Sequence, residues 1–131
     1  MKIKTFPFMF ICILICSCKT TQKAASPPLV PEINSKTEIT VRTESVKPID
    51  PLERTYGYYV IIGSFRNIAG ARQYSADIAN KGLTPVILEN ENGLYRISVG
   101  GYDEENAARV KIAGIRAAYE EHGDVWLLIR E

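Results

Sequence analysis

Val60-Ile61-Ile62-Gly63-Ser64-Phe65 returns 37 residues later as Ile97-Ser98-Val99-Gly100-Gly101-Tyr102. In each copy an apolar run ends in glycine, a small residue and an aromatic ring. The same offset carries Ala71-Arg72 onto Ala108-Arg109 and Ile78 onto Ile115, so each half repeats a strand, a turn, a helix and a strand. Asn67 and Asp103 have the side chains that cap helix N-termini, and Glu104 and Glu105 suit the first turn of the second helix. Ala71, Ser75 and Ile78 form one stripe at helical spacing; Ala108, Ile112, Ile115 and Tyr119 form another. Gly82 and Gly123 are expected helix stops. The closing strands are expected over 84–89 and 124–129, with Glu91-Asn92-Gly93 as the hairpin turn between the second and third strands. The order is βαββαβ. Two interleaved βαβ halves of this size predict an α+β, ferredoxin-like fold, a four-stranded antiparallel sheet with both helices on one face.

That arrangement leaves the other sheet face bare, and side-chain alternation says what lies on it. In the third strand Tyr95, Ile97 and Val99 alternate with Arg96, Ser98 and Gly100, which turns the apolar set toward the helices. The repeat transfers this phase to the first strand, where Val60 and Ile62 face inward while Tyr59 and Ile61 face out. In the last strand Val125, Leu127 and Ile129 face inward, leaving Trp126 and Leu128 outside. An offset of 41, the spacing of Gly82 and Gly123, adds Ile87 to the outer face. A bare face carrying tryptophan, tyrosine, leucine, isoleucine and arginine is too apolar for idle surface.

Outward from the repeat, the chain changes character. All nine glycines lie at or after Gly57, while six of the seven prolines lie at or before Pro51. Lys2 and Lys4 precede an apolar run from Phe6 to Ile15, broken by Pro7. About ten helical residues span roughly 15 Å, half the hydrocarbon thickness of a membrane, so residues 1–17 read as a signal peptide and not as a transmembrane anchor. The run ends in Ile15-Cys16-Ser17-Cys18, an aliphatic residue three positions before a cysteine with small residues between. This resembles the lipobox of bacterial lipoproteins, which implies cleavage before Cys18 and acylation of Cys18. A diacylated cysteine with a third, amide-linked chain has the multiple chains that lasting membrane attachment needs. Residues 18–55 lack glycine, aromatic rings and sustained periodicity, and are expected to be a disordered, lipid-anchored linker. From Cys18 to Tyr56 the coil reach is about 35 Å and the taut limit roughly 130 Å. The folded domain is expected over 56–131.

Composition removes several function classes. With 46% hydrophobic residues, 24% charged and a net charge of +1, the chain has core material but no basic excess for phosphate contacts. The three cysteines, Cys12, Cys16 and Cys18, all precede the domain, which excludes a disulfide framework or cysteine zinc site within it. His122 is the single histidine and sits at a helix exit, where it suits the helix dipole. No second histidine or domain cysteine exists to build a catalytic triad with it. Glu104-Glu105 and Glu120-Glu121 are helix-end charges, and nothing places two carboxylates across a cleft as glycoside hydrolysis requires. A non-enzymatic role without metal or cofactor is therefore expected.

Tyr59-Val60-Ile61-Ile62-Gly63-Ser64-Phe65, the helix with Ala71, Gly82, then Leu94-Tyr95-Arg96-Ile97-Ser98-Val99-Gly100 and Gly123-Asp124-Val125-Trp126-Leu127-Leu128 resemble a SPOR (sporulation-related repeat) domain over about residues 55–131. The resemblance implies the same βαββαβ fold and binding of peptidoglycan, with preference for glycan strands stripped of stem peptides, in periplasmic envelope or cell-division proteins. It implies the sheet face as the glycan site, with Ser64, Leu94, Arg96 and Leu128 contributing. Ile61 stands where the family often has glutamine, and Leu94 where an aromatic is common.

Side-chain chemistry fits that ligand independently. Sugar rings offer C–H faces that stack on Trp126 or Tyr59, and hydroxyl and acetamido groups that pair with Ser64 or Ser98. Loss of a stem peptide frees the lactyl carboxylate of muramic acid, for which Arg96 is a charge-assisted partner. The expected glycan-facing set is Tyr59, Ile61, Ser64, Leu94, Arg96, Ser98, Trp126 and Leu128, on a lipoprotein held in the periplasm at the inner leaflet of the outer membrane. Two alternatives share the sheet face. A protein-docking module for an envelope or division partner is supported by Ile61. An RNA-binding domain of the same strand order is opposed by the eight basic and ten acidic residues from Thr55 onward and by the export signal.

Overall fold

The computed structural model describes residues 38–131, so the signal peptide, Cys18 and the first part of the expected linker lie outside the described residues. Six strands and two helices follow in order: β1 (Val41–Glu44), β2 (Val46–Pro48), β3 (Tyr58–Phe65), α1 (Ile68–Asn80), β4 (Val86–Asn90), β5 (Tyr95–Tyr102), α2 (Glu105–Ala118) and β6 (Trp126–Arg130), with a 3-10 turn at Glu120–His122 before β6. The sheet order is β1-β6-β3-β5-β4-β2. Its four inner strands are the expected ones, all antiparallel to their inner neighbours, with the repeated strands β3 and β5 side by side at the centre. The expected count of four is corrected to six.

Local signals explain most boundaries. The Asn67 side chain accepts the Gly70 N–H at 2.7 Å and starts α1. Gly82, at φ +86°, takes the left-handed conformation that ends it. At the second helix the expected cap fails: Glu104 occupies the cap position without a side-chain bond, and Asp103 instead meets Arg54 at 2.6 Å. α2 also ends at Ala118, before Gly123, because the chain tightens into the 3-10 turn. In the β4–β5 hairpin Asn90 Oδ1 accepts the N–H groups of Asn92 and Leu94 at 3.0 and 2.9 Å, and Gly93 supplies the positive φ.

Ala71 and Ile78 of α1 and Ala108, Ile112 and Ile115 of α2 pack on Val60, Ile62, Ile97, Val99 and Leu127, which makes the main core. Both helices thus lie on one face, and the strand phase derived from alternation holds for these residues. Ile87 is an exception: it packs on the helix side while Leu88 faces away. β4 pairs Ile87 with Ile97 and Leu88 with Arg96, so Val86, Leu88 and Asn90 correspond to Trp126, Leu128 and Arg130 at an offset of 40, not 41. A one-residue slip exchanges the two faces of a strand.

The stretch expected to be linker up to residue 55 builds both outer strands. β1 runs parallel to β6, pairing Val41 with Leu127 and Glu44 with Arg130. β2 runs antiparallel to β4, pairing Lys47 with Glu89. Only Ser45 separates them, yet they occupy opposite edges of the sheet, so the sheet curls until one length of chain bridges both edges. Around that joint Glu131 N–H donates to the Glu44 carbonyl and Glu91 N–H to the Ser45 carbonyl, each at 3.2 Å. The face expected to be bare becomes the lining of a barrel-like ring.

Candidate functional site

The curl places the concave face between four strands and the chain that crosses them. A second apolar cluster forms there from Val46, Tyr59, Ile61, Leu88 and Leu128, with Tyr56, Val86 and Trp126 packed against it. The phase expected for Tyr59, Ile61, Trp126 and Leu128 is therefore the one observed. Their exposure is not. Tyr59 is 2% exposed, Ile61 and Leu128 0%, Ser98 1% and Arg96 7%, because residues 41–57 lie over a face that the isolated repeat leaves open. Leu94 and Trp126 are half-buried and Ser64 is exposed.

Arg96 is the electrostatic centre of the face. Its Nε and Nη2 donate to Glu44 Oε2 and Oε1 at 3.0 and 2.6 Å, a bidentate pair whose side chains are 9% and 12% exposed. Asn90 Nδ2 adds a third donor to Glu44 at 3.2 Å. Burial pushes the Glu44 carboxyl up, but hydrogen bonds from Arg96 and Asn90, with the charges of Arg96 and Arg42, outweigh it and hold the group below its ordinary value. The Trp126 ring has two guanidiniums nearby, Arg42 and Arg96, each 5.4 Å from its centroid, within cation–π range.

At the other end of the face the chain returns from β2 toward β3. Tyr56 stands edge-on to Tyr59 with centroids 6.0 Å apart, and its N–H donates to the Tyr59 hydroxyl at 2.8 Å. Burial pushes the Tyr59 phenol up. The Tyr56 ring lies where a Cβ on Gly101 would fall, so the glycine of the second repeat admits an aromatic from the crossing segment. Ser98 is engaged with its own strand: its hydroxyl donates to the Gly100 carbonyl at 2.9 Å and accepts the Gly100 N–H at 3.3 Å. A cavity of about 210 Å³ remains there, lined in part by Arg54, Tyr56, Tyr59 and Ser98. Ordinary ligand pockets begin near roughly 300 Å³.

The structure thus brings Tyr59, Ile61, Arg96, Ser98, Trp126 and Leu128 to one face, with Ser64, the register partner of Arg96, at its end. It adds Arg42, Glu44, Val46, Tyr56, Leu88 and Asn90, which sequence reasoning missed. A signal existed in Ile39-Thr40-Val41-Arg42-Thr43-Glu44-Ser45-Val46, a β-branched run alternating with polar residues inside an otherwise featureless stretch. His122 is 7% exposed and lies at the 3-10 turn with Lys81 Nζ 3.5 Å from its Nε2, away from this face.

A two-half repeat, helices packed on one side, and a concave lining of aromatic and guanidinium groups define a small α+β binding domain. Residues 55–129 match the SPOR domain family model, more than half of the chain, and the chain belongs to that family. SPOR domains are peptidoglycan-binding modules. No curated protein and no solved structure matches the chain.

Proposed function

We propose that this protein is a non-catalytic peptidoglycan-binding module that recognises glycan strands lacking stem peptides on its concave sheet face, as the folded end of an envelope lipoprotein that serves cell division. The observation that carries the reading is the juxtaposition of Arg96 and Trp126, with the guanidinium 5.4 Å from the ring centroid. A muramyl residue needs both: an aromatic plane for its C–H face and a bidentate cation for the lactyl carboxylate that amidase cleavage uncovers. Ser64 is the register partner of Arg96, Leu94 lies two residues before Arg96 along the chain, Tyr59 and Ser98 lie at the other end of the face, and Ile61 and Leu128 form the apolar floor. The apolar Ile61 is accounted for by its complete burial, which removes the feature that favoured a protein-docking face.

The test is retention of the soluble chain on intact and amidase-treated sacculi. Greater retention on the treated material is expected; equal retention, or none, overturns the preference or the reading itself. The chain upstream of the described residues supplies the anchor in this reading. Mass spectrometry of the mature protein is expected to find lipid on Cys18, and Cys18→Ala to release the protein from the membrane. A soluble, unmodified mature chain overturns that part and its assignment to the periplasmic leaflet of the outer membrane.

A further inference from the structure

We propose that residues 41–57 are a displaceable strap, an intramolecular occupant of the concave face that must leave before glycan enters. The proposal rests on the glycan reading of that face.

The strap already occupies Arg96, Trp126, Tyr59 and the apolar floor, the groups to which the glycan reading assigns the main contacts of a muramyl strand. Glu44 presents a carboxylate to Arg96 in a bidentate pair at 2.6 and 3.0 Å, the chemistry and geometry expected of a lactyl carboxylate. Arg42 lies 5.4 Å from the Trp126 centroid, beside the ring on which a sugar would stack. Tyr56 stands against Tyr59 and occupies its hydroxyl. Val46 packs with Ile61, Leu88 and Leu128, apolar groups that need a cover when the strap departs and that the C–H faces of a sugar provide. With these contacts made internally, the cavity of about 210 Å³ beside Tyr56 and Tyr59 is too small for an oligosaccharide, and the larger hollow of about 490 Å³ along β2 and the β4–β5 turn is lined by neither Arg96 nor Trp126.

The strap is also built to detach. Its two strands are four and three residues long and sit at the sheet edges. Val41, Arg42, Thr43, Ser45 and Lys47 are exposed, and Val46 is its one buried apolar residue. No residue of 41–57 belongs to the core between helices and sheet, so the strap can open while that core stays packed, as a unit of low local stability. The family match begins at residue 55, leaving both strap strands outside the matched span. A tethered segment competes at high effective concentration, and the apparent Kd rises by the inverse of the open fraction.

All described strands and both cores lie within residues 38–131, so a soluble chain from residue 19 retains the fold and carries no native cysteine. In it, Lys47→Cys with Glu89→Cys joins register partners of β2 and β4 through a reversible disulfide. Affinity for amidase-released glycan strands is then measured by titration for the oxidised pair, the reduced pair, Val46→Asp and the unchanged chain. Val46→Asp unseats the strap and is expected to bind about thirtyfold or more tighter than the unchanged chain, the factor for a strap open in about one molecule of thirty or fewer. The oxidised pair is expected to bind at least about tenfold more weakly than the reduced pair. Equal affinities across all four overturn the strap and leave the glycan reading standing. Binding by none, including Val46→Asp with its circular dichroism intact, overturns the glycan reading and the strap together.

Discussion

Removing the charge on one side of the Arg96–Glu44 pair tests how the concave face is held. Arg96→Met leaves the Glu44 carboxylate, 12% exposed, with the Asn90 amide at 3.2 Å as its remaining side-chain donor of the three now present. An uncompensated charge in a buried pair costs about 3–5 kcal/mol. Detachment of residues 41–48 rehydrates the carboxylate and limits the loss to what docking of that segment contributes, so about 2–4 kcal/mol is expected, extending below the full cost of a stranded charge. For a domain near 100 residues each kcal/mol moves Tm by roughly 4–8 °C, which makes the shift easy to resolve by thermal denaturation. Glu44→Leu alone strands the guanidinium and is expected to cost a similar amount. Combining Arg96→Met with Glu44→Leu places two apolar side chains against Val46, Ile61, Leu88 and Leu128, where such replacements are often neutral or stabilising. The double variant is therefore expected within about 1 kcal/mol of the parent, a coupling of several kcal/mol across the cycle. Additive losses, with the double variant as unstable as the sum of its singles, refute the view of the pair as one buried unit.

Three further outcomes follow from particular contacts. Because the folded Glu44 carboxyl lies below its ordinary value, its stabilising contribution is complete above the unfolded carboxylate pKa of about 4.3. It declines as pH falls through the depressed folded value; urea denaturation at pH 7 and pH 3 is expected to show a loss that Glu44→Gln reduces, and an unchanged pH dependence in that variant refutes the assignment. Ile97→Ala empties a site that is 0% exposed beneath the helices and is expected to lower stability by about 2–5 kcal/mol, read from the chemical denaturation midpoint, with a loss below about 1 kcal/mol counting against the packing. Trp126→Ala removes a half-buried ring between two guanidiniums and is expected to weaken glycan retention by more than about 1 kcal/mol while circular dichroism stays unchanged; unaltered retention argues against stacking there.

The six residues 60–65 and their echo at 97–102, with the helix stripes and turn residues between them, carried the element order and the side of the sheet that meets the helices. These are local matters. Alternation with period two and stripes with period 3.6 are imposed by backbone geometry and survive in the amino-acid order. The Asn67 cap and the Gly93 turn are local in the same sense, since each satisfies backbone groups a few residues away. The phase of β4 was harder to obtain. It depended on counting residues through the loops after α1 and α2, and one residue of difference moved Ile87 to the helix side.

What covers the second face depended on tertiary structure. Glu44 and Arg96 are 52 residues apart, and nothing in a stretch rich in threonine, proline and charge announces which distant strand will accept it. An edge strand makes half its hydrogen bonds with a partner elsewhere in the chain and half with water, so its residues need not be apolar on both sides. β1 and β2 meet that minimum with β-branched residues and single apolar contacts. Sequence alone thus determined that a face of Tyr59, Ile61, Arg96, Trp126 and Leu128 would need burying or a ligand. Only the curl of the sheet, which brings β4 and β6 to opposite sides of Ser45, decided that eight residues of the preceding chain bridge it, because sheet closure is a property of strand twist and register summed over the whole sheet.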